Sequence, residues 1–400
     1  MTAWRSSLGA AASRIYPGLD AALWNRRRDR LASDDRRRWS PESPASERVE
    51  SVRPLLLIVT TGDGPASPEW RPAAGNHIFE VAQSAIDLLG QERVVVTHVE
   101  AGERVDAWHD RVIALAIESG ATHLLANVET DPRDTDEWTW DLFVDHLQHA
   151  WNGTFIGLMY DSAFEWTTIR AKRLATRDPR ALLVALDRPL SDDLPGPRAH
   201  VGPVLLPLSL PTQAAVENAI RDVPKDIPVS FIGALYDYRV PLLDGLRDAG
   251  VELAVNPQRD DAVRTYLESR TAQPGYLSYM TALARSEITV NLSRAHAENV
   301  LQLKTRVLEA SFAGCLVATD DADRSDHYFT VDREFIRFSG VADAAAKIPG
   351  ILADPARLAS MQDAARQRAR AIAGTVFWGA VDTGLRRSSL PALLDREVEA

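Results

Sequence analysis

Two cations and one carboxylate lie close together within residues 302–319 of this 400-residue chain. Lys304, Arg306 and Glu309 fall at the front of a stretch with helical spacing, and Gly314 is placed to end the helix because glycine readily adopts positive φ. Cations bind phosphate groups, and a carboxylate can accept one hydroxyl on each of its oxygens. These side chains therefore suit a ligand with phosphates at one end and a diol at the other. The alternative is that Arg306 and Glu309 form an ordinary pair on a helix surface.

A second candidate phosphate site precedes this segment. Residues 229–232 predict a buried strand, Gly233 ends it, and Tyr236 lies in a turn before Arg239, at the start of a leucine-rich helix. Backbone amides at a helix start, together with an arginine, can hold a phosphate. The segment contains neither G-x-G-x-x-G nor G-x-x-x-x-G-K-[ST], which excludes the dinucleotide fingerprint and the P-loop. An ordinary strand–turn–helix connection is the alternative.

Polar side chains follow several predicted strands in the first half of the chain. Ligands of parallel sheets bind beyond the carboxyl ends of the strands, so these side chains are candidates for acid–base chemistry. Asp161 directly follows a strand and is the first candidate for a general base, with Asp63 and His77 as the others. Solvated or helix-capping acids and a structural histidine are the alternatives. The polar residues after strands are Asp63, Asn127, Glu129, Asp131, Asp134, Asp161 and Ser162.

The elements that must position these residues alternate between strand and helix. Continuous apolar runs such as residues 54–60 are typical of strands buried on both faces, and apolar spacing of three and four, as in 76–89, predicts helices. Alternation with short connections predicts a doubly wound α/β domain. In this half, strands are predicted at 54–60, 93–99, 123–128, 155–160 and 181–186, and helices at 76–89, 107–119, 138–151 and 167–176.

The alternation resumes after residues 201–211, a proline-rich apolar segment that predicts an extended crossover between two domains. Asn291 ends one of the later strands and, with Gln302, is a candidate to orient a sugar or a base. Strands are predicted at 229–232, 251–255, 287–292, 315–318 and 335–338, and helices after Arg239, before Gly314, and at 277–285, 341–352, 354–373 and 375–385. The predicted organisation is an arm at 1–50, a first domain at 51–210, a second domain at 211–374, and a helix and tail at 375–400 that cross back onto the first domain.

Composition narrows the classes of protein. A length of 400 residues suits two domains, and 45% hydrophobic and 25% charged residues are typical of a soluble globular protein. The net charge of -11 argues against nucleic acid as a partner, although a small phosphorylated ligand needs only a local basic pocket. The single cysteine, Cys315, excludes an internal disulfide and a multi-cysteine zinc site.

The sequence favours a protein that neither inserts into a membrane nor binds a metal. No apolar run approaches the roughly 20 residues of a membrane span, and no hydrophobic stretch follows the N-terminal arginines, so a cytoplasmic location is expected. Residues 1–50 alternate arginine with aspartate. This segment has two interpretations: it is an arm that contacts an anionic membrane or a nucleic acid, or it is an arm exposed to solvent. We expect no metal, because Mg²⁺ usually takes one or two protein carboxylates and loop acids are commonly solvated. The acids considered are Asp320, Asp321, Asp323 and Asp326.

The pattern Gln302-x-Lys304-x-Arg306-x-x-Glu309-Ala, followed by Gly314 and a short strand, resembles the donor-binding segment of GT-B glycosyltransferases. It is most similar to the group of CgeB-like, spore-maturation-type proteins. The resemblance covers roughly residues 54–385 and is strongest over 229–373. It implies an α/β fold of two Rossmann-like domains that face each other across a cleft, with Glu309 on the ribose hydroxyls. The donor site that it implies contains Gly233, Tyr236, Arg239, Asn291, Gln302, Lys304, Arg306 and Glu309.

The leading hypothesis is a metal-independent glycosyltransferase of the hexosyltransferase type. Its second domain would bind a nucleoside-diphosphate sugar, its first domain would bind a small-molecule, glycan or protein acceptor, and helix starts with Arg and Lys would stabilise the leaving diphosphate without a cofactor. The alternatives are a catalytically silent GT-B-like module that binds a nucleotide sugar or a protein, and a sugar-nucleotide epimerase of the same fold. Many GT-B enzymes carry a second glutamate eight positions before the ribose-binding one, where this chain has Leu301. Retention and inversion therefore both stay open.

Overall fold

The structure of the protein, a computed structural model, contains two parallel β-sheets that are covered by helices on both faces. The predicted arm at 1–50 lies outside the described residues, as do Asp63, Asp131 and Asp134. The structure describes residues 55–61, 64–100, 103–129, 139–162, 164–178, 180–190, 200–236, 238–257, 275–294, 301–320 and 324–395.

The first sheet has six parallel strands in the order β2-β1-β3-β4-β5-β6. Alternate residues of β1 enter two separate cores, Leu57 and Val59 on one face and Leu56 and Ile58 on the other, which explains the unbroken apolar run in the sequence. The strands are β1 Leu56–Thr60, β2 Val94–His98, β3 His123–Asn127, β4 Thr154–Met159, β5 Leu182–Ala185 and β6 His200–Val201, and the helices are α1 His77–Leu89, α2 Val105–Glu118, α3 Trp140–Ala150 and α4 Glu165–Arg177, with a 3-10 turn at Gln91–Arg93.

The second sheet has five parallel strands in the order β11-β10-β9-β7-β8. The strands are β7 Ile227–Phe231, β8 Leu253–Val255, β9 Ser286–Asn291, β10 Leu316–Asp320 and β11 Phe335–Phe338. The helices are α5 Leu210–Ile220, α6 Val240–Asp248, α7 Tyr276–Arg285, α8 Arg306–Phe312, α9 Val341–Leu352, α10 Pro355–Ile372 and α11 Val376–Arg387, with a 3-10 turn at Ser325–His327. The predicted α/β class with two doubly wound domains is confirmed.

Two local predictions differ from the structure. The crossover predicted as extended to residue 211 already becomes helical at Leu210, because Ser209 is extended and Pro211 tolerates the first helical turn. Lys304 does not lie on a helix, since α8 begins at Arg306 and Thr305 precedes it. The cation at Lys304 is thus held by an irregular segment, whereas Arg306 is the first residue of the helix.

The C-terminal helix α11 and the mid-chain helix α5 join the two domains. The helix α11 packs Phe377, Trp378 and Val381 into a core of the first sheet, and the Trp378 indole donates a hydrogen bond of 2.9 Å to the Ser84 hydroxyl of α1. The helix α5 is tied to α1 by Glu80, which accepts from the Ser209 amide (2.8 Å) and the Thr212 hydroxyl (2.6 Å). Among the described residues, no helix is long and apolar enough to cross a membrane.

Candidate active site between the two sheets

A cleft of about 680 Å³ opens where the carboxyl ends of strands from both sheets meet. Ligands of open α/β sheets bind in this location, because the loops after the strands converge there. The first domain contributes the residues that follow β4 and β5 and the start of α1, and the second contributes the residues that follow β7 and β8 and those around α7 and α8. The polar and aromatic lining consists of His77, Tyr160, Asp161, Asp187, Asn256, Tyr276, Tyr279, Lys304, Thr305, Arg306 and Glu309, with Gly233 on the floor.

Arg306 reaches the end of β7 because Gly233 has no side chain. A Cβ at position 233 would lie 2.9 Å from Nη2 of Arg306, so a larger residue would push the guanidinium aside. The Nη1 atom donates to Oδ1 of Asn291 at 3.4 Å, and the Asn291 amide in turn donates to the Thr319 hydroxyl at 3.0 Å. Among the described residues, the buried Nε of Arg306 has no hydrogen-bond partner. Asn291 thus holds the guanidinium at the cleft wall, where its charge can meet an anionic ligand.

Glu309 lies one turn into α8 and is 8% exposed. Its Oε2 accepts a hydrogen bond of 2.7 Å from the Tyr279 hydroxyl. Burial, followed by the charge of Glu309, raises the pKa of Tyr279 and of the neighbouring Tyr276 well above the ordinary value, so both phenols stay protonated. The carboxylate is thus flanked by hydroxyl donors and is suited to bind further hydroxyl groups.

Lys304 and Asp187 are linked through Gln302, which lies behind the cleft wall. Gln302 Nε2 donates to Oδ2 of Asp187 at 2.5 Å, and Lys304 Nζ donates to Oε1 of Gln302. Burial lowers the pKa of Lys304 to about 8, with Asp187 opposing the shift, and burial raises the pKa of Asp187 to about 8, with Lys304 opposing it. Asp187 therefore holds its proton more strongly, and Lys304 holds its proton more weakly, than the same groups do in water.

Asp161 is carried on a turn that a buried glutamate fixes. Glu129 accepts hydrogen bonds from the backbone amides of Tyr160 (2.7 Å) and Asp161 (3.0 Å). Burial and then the charge of Asp161 raise the pKa of Glu129 to about 7. The Thr167 hydroxyl donates to the Asp161 carbonyl at 2.8 Å, which joins the turn to α4. The backbone of Asp161 is therefore fixed while its side chain remains open to the cleft.

His77 is the first residue of α1, which begins there because the Asn76 side chain accepts from the Phe79 amide at 3.1 Å. Its ring stacks on Tyr160 with a centroid distance of 5.8 Å. The side chain is open to the cleft, yet protein atoms crowd it, and this crowding lowers its pKa while Glu309 opposes the shift. The imidazole therefore favours the neutral form at pH 7.

Of the residues selected from sequence, six line the cleft: Asp161, His77, Gly233, Lys304, Arg306 and Glu309. Asn291 and Gln302 lie behind it and support Arg306 and Lys304. Arg239 is buried and donates to the carbonyls of Ala234 (2.9 Å), Leu292 (3.3 Å) and Arg294 (3.1 Å). Its guanidinium packs 4.6 Å from the Tyr236 ring, and neither side chain lines the cleft. These two residues brace the loop after β7.

The acids considered for a metal do not converge in the described part of the chain, where no group of three or more His, Cys, Asp or Glu side chains could hold an ion. Asp320 accepts from the Ser293 amide at 3.2 Å, and Asp326 forms an ion pair of 2.7 Å with Arg337. Asp321 and Asp323 lie outside the described residues.

Sequence reasoning missed Asp187, Asn256 and the tyrosines of α7. Asp187 and Asn256 follow β5 and β8, so the strand-end rule that selected Asp161 would also have selected them. The side-chain amide of Asn256 donates through Nδ2 to the Gly233 carbonyl (3.1 Å) and accepts at Oδ1 from the Gly233 backbone N–H (2.9 Å). The backbone of Asn256 itself has a φ of 51°. Asn256 thus fixes the backbone of Gly233, which leaves the space that the Arg306 guanidinium occupies. This role is visible only in the three-dimensional structure.

Comparison with known proteins identifies the fold of this chain. Residues 242–373, which include Lys304 and α8, match the family model described as glycosyl transferase-like. Sucrose-phosphate synthase from Thermosynechococcus elongatus superposes with a TM-score of 0.51 at 13% identity, over 84% of this chain and 98% of that one. The chain has the GT-B fold. Its second domain resembles the glycosyltransferases in sequence as well.

A second solved structure agrees on the fold. Anabaena HepE in complex with UDP and glucose superposes on this GT-B chain with a TM-score of 0.50 at 12% identity, over 84% of this chain and 98% of that one. A putative UDP-N-acetylglucosamine 2-epimerase from Listeria monocytogenes gives a TM-score of 0.46 at 9% identity, over 86% and 100%, which is too weak a likeness to favour the epimerase alternative. No curated protein matches the chain significantly in sequence. The CgeB-like assignment stays a prediction.

Proposed function

We propose that this chain is a metal-independent glycosyltransferase that moves a sugar from a nucleoside-diphosphate donor to an acceptor hydroxyl. The observation that supports this most is the placement of Arg306, Lys304 and Glu309 together on one wall of the cleft, within the segment that matches the glycosyl transferase-like model. The two cations can bind a diphosphate, and the carboxylate can bind a diol. A nucleotide sugar contains both groups, the diphosphate in its centre and the diol on its ribose.

The donor diphosphate lies against Arg306 and Lys304 in this proposal. As the bond from the anomeric carbon to the diphosphate breaks, negative charge grows on the leaving phosphate, and fixed cations stabilise it without a metal. Gly233 leaves room for the Arg306 guanidinium at the end of β7 and Asn291 accepts a hydrogen bond from its Nη1 atom, so the charge is held at the cleft wall where the diphosphate would lie. Glu309, beside Tyr279, accepts the ribose hydroxyls.

The acceptor lies on the opposite wall, beside Asp161. Its hydroxyl oxygen attacks the anomeric carbon and its proton passes to the Asp161 carboxylate, which is open to the cleft on a turn fixed by Glu129. His77 is the second candidate for this proton, because its ring lines the same wall and favours the neutral form that can accept one. Asp63 remains a third prediction, outside the described residues.

Release of nucleoside diphosphate tests the proposal. Wild-type protein is incubated in EDTA with UDP-, GDP-, dTDP- and ADP-glucose, with and without a panel of glycan and small-molecule acceptors, and the free diphosphate is measured. The expected result is diphosphate release that rises with one acceptor and is lost in Arg306→Ala, while the exposed Arg357→Ala keeps wild-type activity.

Two other outcomes would replace the proposal. Conversion of the donor sugar without any acceptor would indicate an epimerase. Binding of a donor without release under any acceptor condition would indicate a catalytically silent module. Activity that appears only after Mg²⁺ or Mn²⁺ is added would contradict metal independence.

A further inference from the structure

Asp187 belongs to the first domain, two residues beyond the end of β5, but its hydrogen bonds go to the second domain. Its backbone carbonyl accepts from the Leu303 amide at 2.9 Å, and its Oδ2 accepts from Gln302 Nε2 at 2.5 Å. The residues that it holds lead directly into α8, which carries Arg306 and Glu309. One first-domain residue therefore anchors the segment on which the proposed donor site depends.

Gln302 connects Asp187 to Lys304 by one hydrogen bond to each. The amide nitrogen can only donate, so Oδ2 of Asp187 accepts from it whether or not the carboxyl carries a proton. With the nitrogen turned towards Asp187, the amide oxygen Oε1 is turned towards Lys304 and accepts from its ammonium. Gln302 is 3% exposed and does not line the cleft, so it reaches a ligand only through its neighbour. The link has a direction: Asp187 orients Gln302, and Gln302 holds Lys304.

The charges around this link explain why it is needed. Asp187 faces Lys304, Asp161 and Glu129, and Lys304 also faces the cations Arg239 and Arg306. Asp187 and Asp161 attract the Lys304 ammonium, whereas Arg239 and Arg306 repel it, so these opposed charges do not by themselves fix its position. A fixed acceptor oxygen at Gln302 holds the ammonium at one place.

We propose that Asp187 is a positioning residue of the donor site, which acts through Gln302 to hold Lys304 where a diphosphate binds. This inference rests on the proposed function and adds that donor affinity depends on a residue of the acceptor domain. The donor site is complete only when the first domain lies against residues 302–304 as it does here.

A double-mutant cycle tests the link. Wild type, Asp187→Ala, Lys304→Ala and the double variant are titrated calorimetrically with UDP, GDP, dTDP and ADP in EDTA. Asp187→Ala is expected to weaken binding of the preferred diphosphate about tenfold, the usual effect of losing a hydrogen bond that holds a charged group. In the Lys304→Ala background the same substitution should change affinity less than about twofold, because its target is gone. A merely structural role would cost the same in both backgrounds.

Three further variants complete the test. Asp187→Asn keeps an acceptor oxygen for Gln302 and should keep most of the affinity. Gln302→Leu breaks the link from the second domain and should reproduce the tenfold loss, which keeps the test decisive if Asp187→Ala does not fold. The matched control is Asp222→Ala, an exposed acid that does not line the cleft.

The outcomes separate the two proposals. If wild type binds none of the four diphosphates, the proposed function and the role of Asp187 both fall. If wild type binds one, but Asp187→Ala or Gln302→Leu binds it equally well, only the positioning role falls. The same conclusion follows if Asp187→Ala costs tenfold in the Lys304→Ala background as well.

Discussion

The two walls of the cleft carry different ionisable groups. The second-domain wall presents Lys304 and Arg306 beside Glu309, whereas the first-domain wall presents Asp161 and Asp187, with Glu129 just behind them. A cationic wall fits an anionic donor, and an acidic wall fits the removal of a proton from an acceptor. In the proposed function, one α/β design, used twice, supplies two chemistries through the different residues that line the cleft.

The walls also differ in how their key side chains are held. Arg306 is supported by a side-chain hydrogen bond to Asn291 and by the space that Gly233 leaves. Asp161 is held at its backbone by Glu129 and Thr167, and its exposed side chain also faces the Glu129 carboxyl. Cations that are already in place suit the stabilisation of a leaving group, and an exposed carboxylate on a fixed turn suits the removal of a proton from an acceptor.

The largest expected effect belongs to the acidic wall. Asp161→Asn removes the proposed base without changing its size, so kcat for sugar transfer should fall about a thousandfold, within the usual range for general base catalysis. Affinity for the diphosphate should stay within about twofold, because Asp161 does not hold the donor. Steady-state kinetics and calorimetry on the same preparation check both numbers. Transfer at the wild-type rate would remove Asp161 from the mechanism and leave His77 as the described candidate.

Removal of a cation should weaken both donor binding and chemistry. Arg306→Ala is expected to lower kcat/KM about a hundredfold, because the guanidinium faces charge that grows as the diphosphate leaves. The control is Arg357→Ala on the exposed side of α10. A loss in kcat/KM no larger than that of the control would show that the leaving group lies elsewhere.

The pH dependence of donor binding should follow Lys304. Burial lowers its pKa to about 8, so the ammonium is charged below pH 8 and loses its proton as the pH rises through that value. Diphosphate affinity should therefore fall about tenfold between pH 7 and pH 9. Lys304→Arg keeps the charge and should flatten this decline. An unchanged decline in the arginine variant would assign the titration to another group, with Asp187 next in line because its pKa is also about 8.

The smallest effect is expected from the glycine beneath Arg306. Gly233→Ala places a Cβ 2.9 Å from Nη2, but that atom is the far end of a flexible side chain and can shift. Donor KM should rise about threefold to tenfold, consistent with a modest misplacement of one charge, and the thermal midpoint should fall because φ at Gly233 is 158°, which other residues rarely adopt. An unchanged KM would show that Arg306 tolerates a displaced guanidinium.

Much of the fold could be predicted from periodicity, because the buried strands are continuous apolar runs and the helices have regular apolar spacing. The strand at 335–338 and the helix at 341–352 agree with the structure to the residue. Local patterns also brought Lys304, Arg306 and Glu309 into one site, since all three lie within six positions of the chain. The ends of helices are harder to predict from periodicity. The sequence predicts Lys304 on a helix that begins only at Arg306, and it predicts an extended segment where α5 begins.

Contacts between the domains could not be predicted from one sequence. Asp187 lies 115 residues before Gln302, and nothing local marks the two as partners. Arg239 illustrates the converse, because an arginine at a helix start looks like a phosphate ligand until its carbonyl partners are seen. Side-chain direction and long-range pairing decide both cases, and neither is encoded in spacing along the chain.

The central claim is that the cationic wall of the second domain holds a nucleoside diphosphate without a metal. Calorimetric titration with UDP, GDP, dTDP and ADP in EDTA tests it most directly, with Arg306→Ala and Glu309→Ala as test variants and the exposed Glu252→Ala as the control. The account predicts micromolar binding of one diphosphate by wild type and the control, lost in both test variants. Absence of binding for all four diphosphates, or equal binding by the test variants, would contradict it.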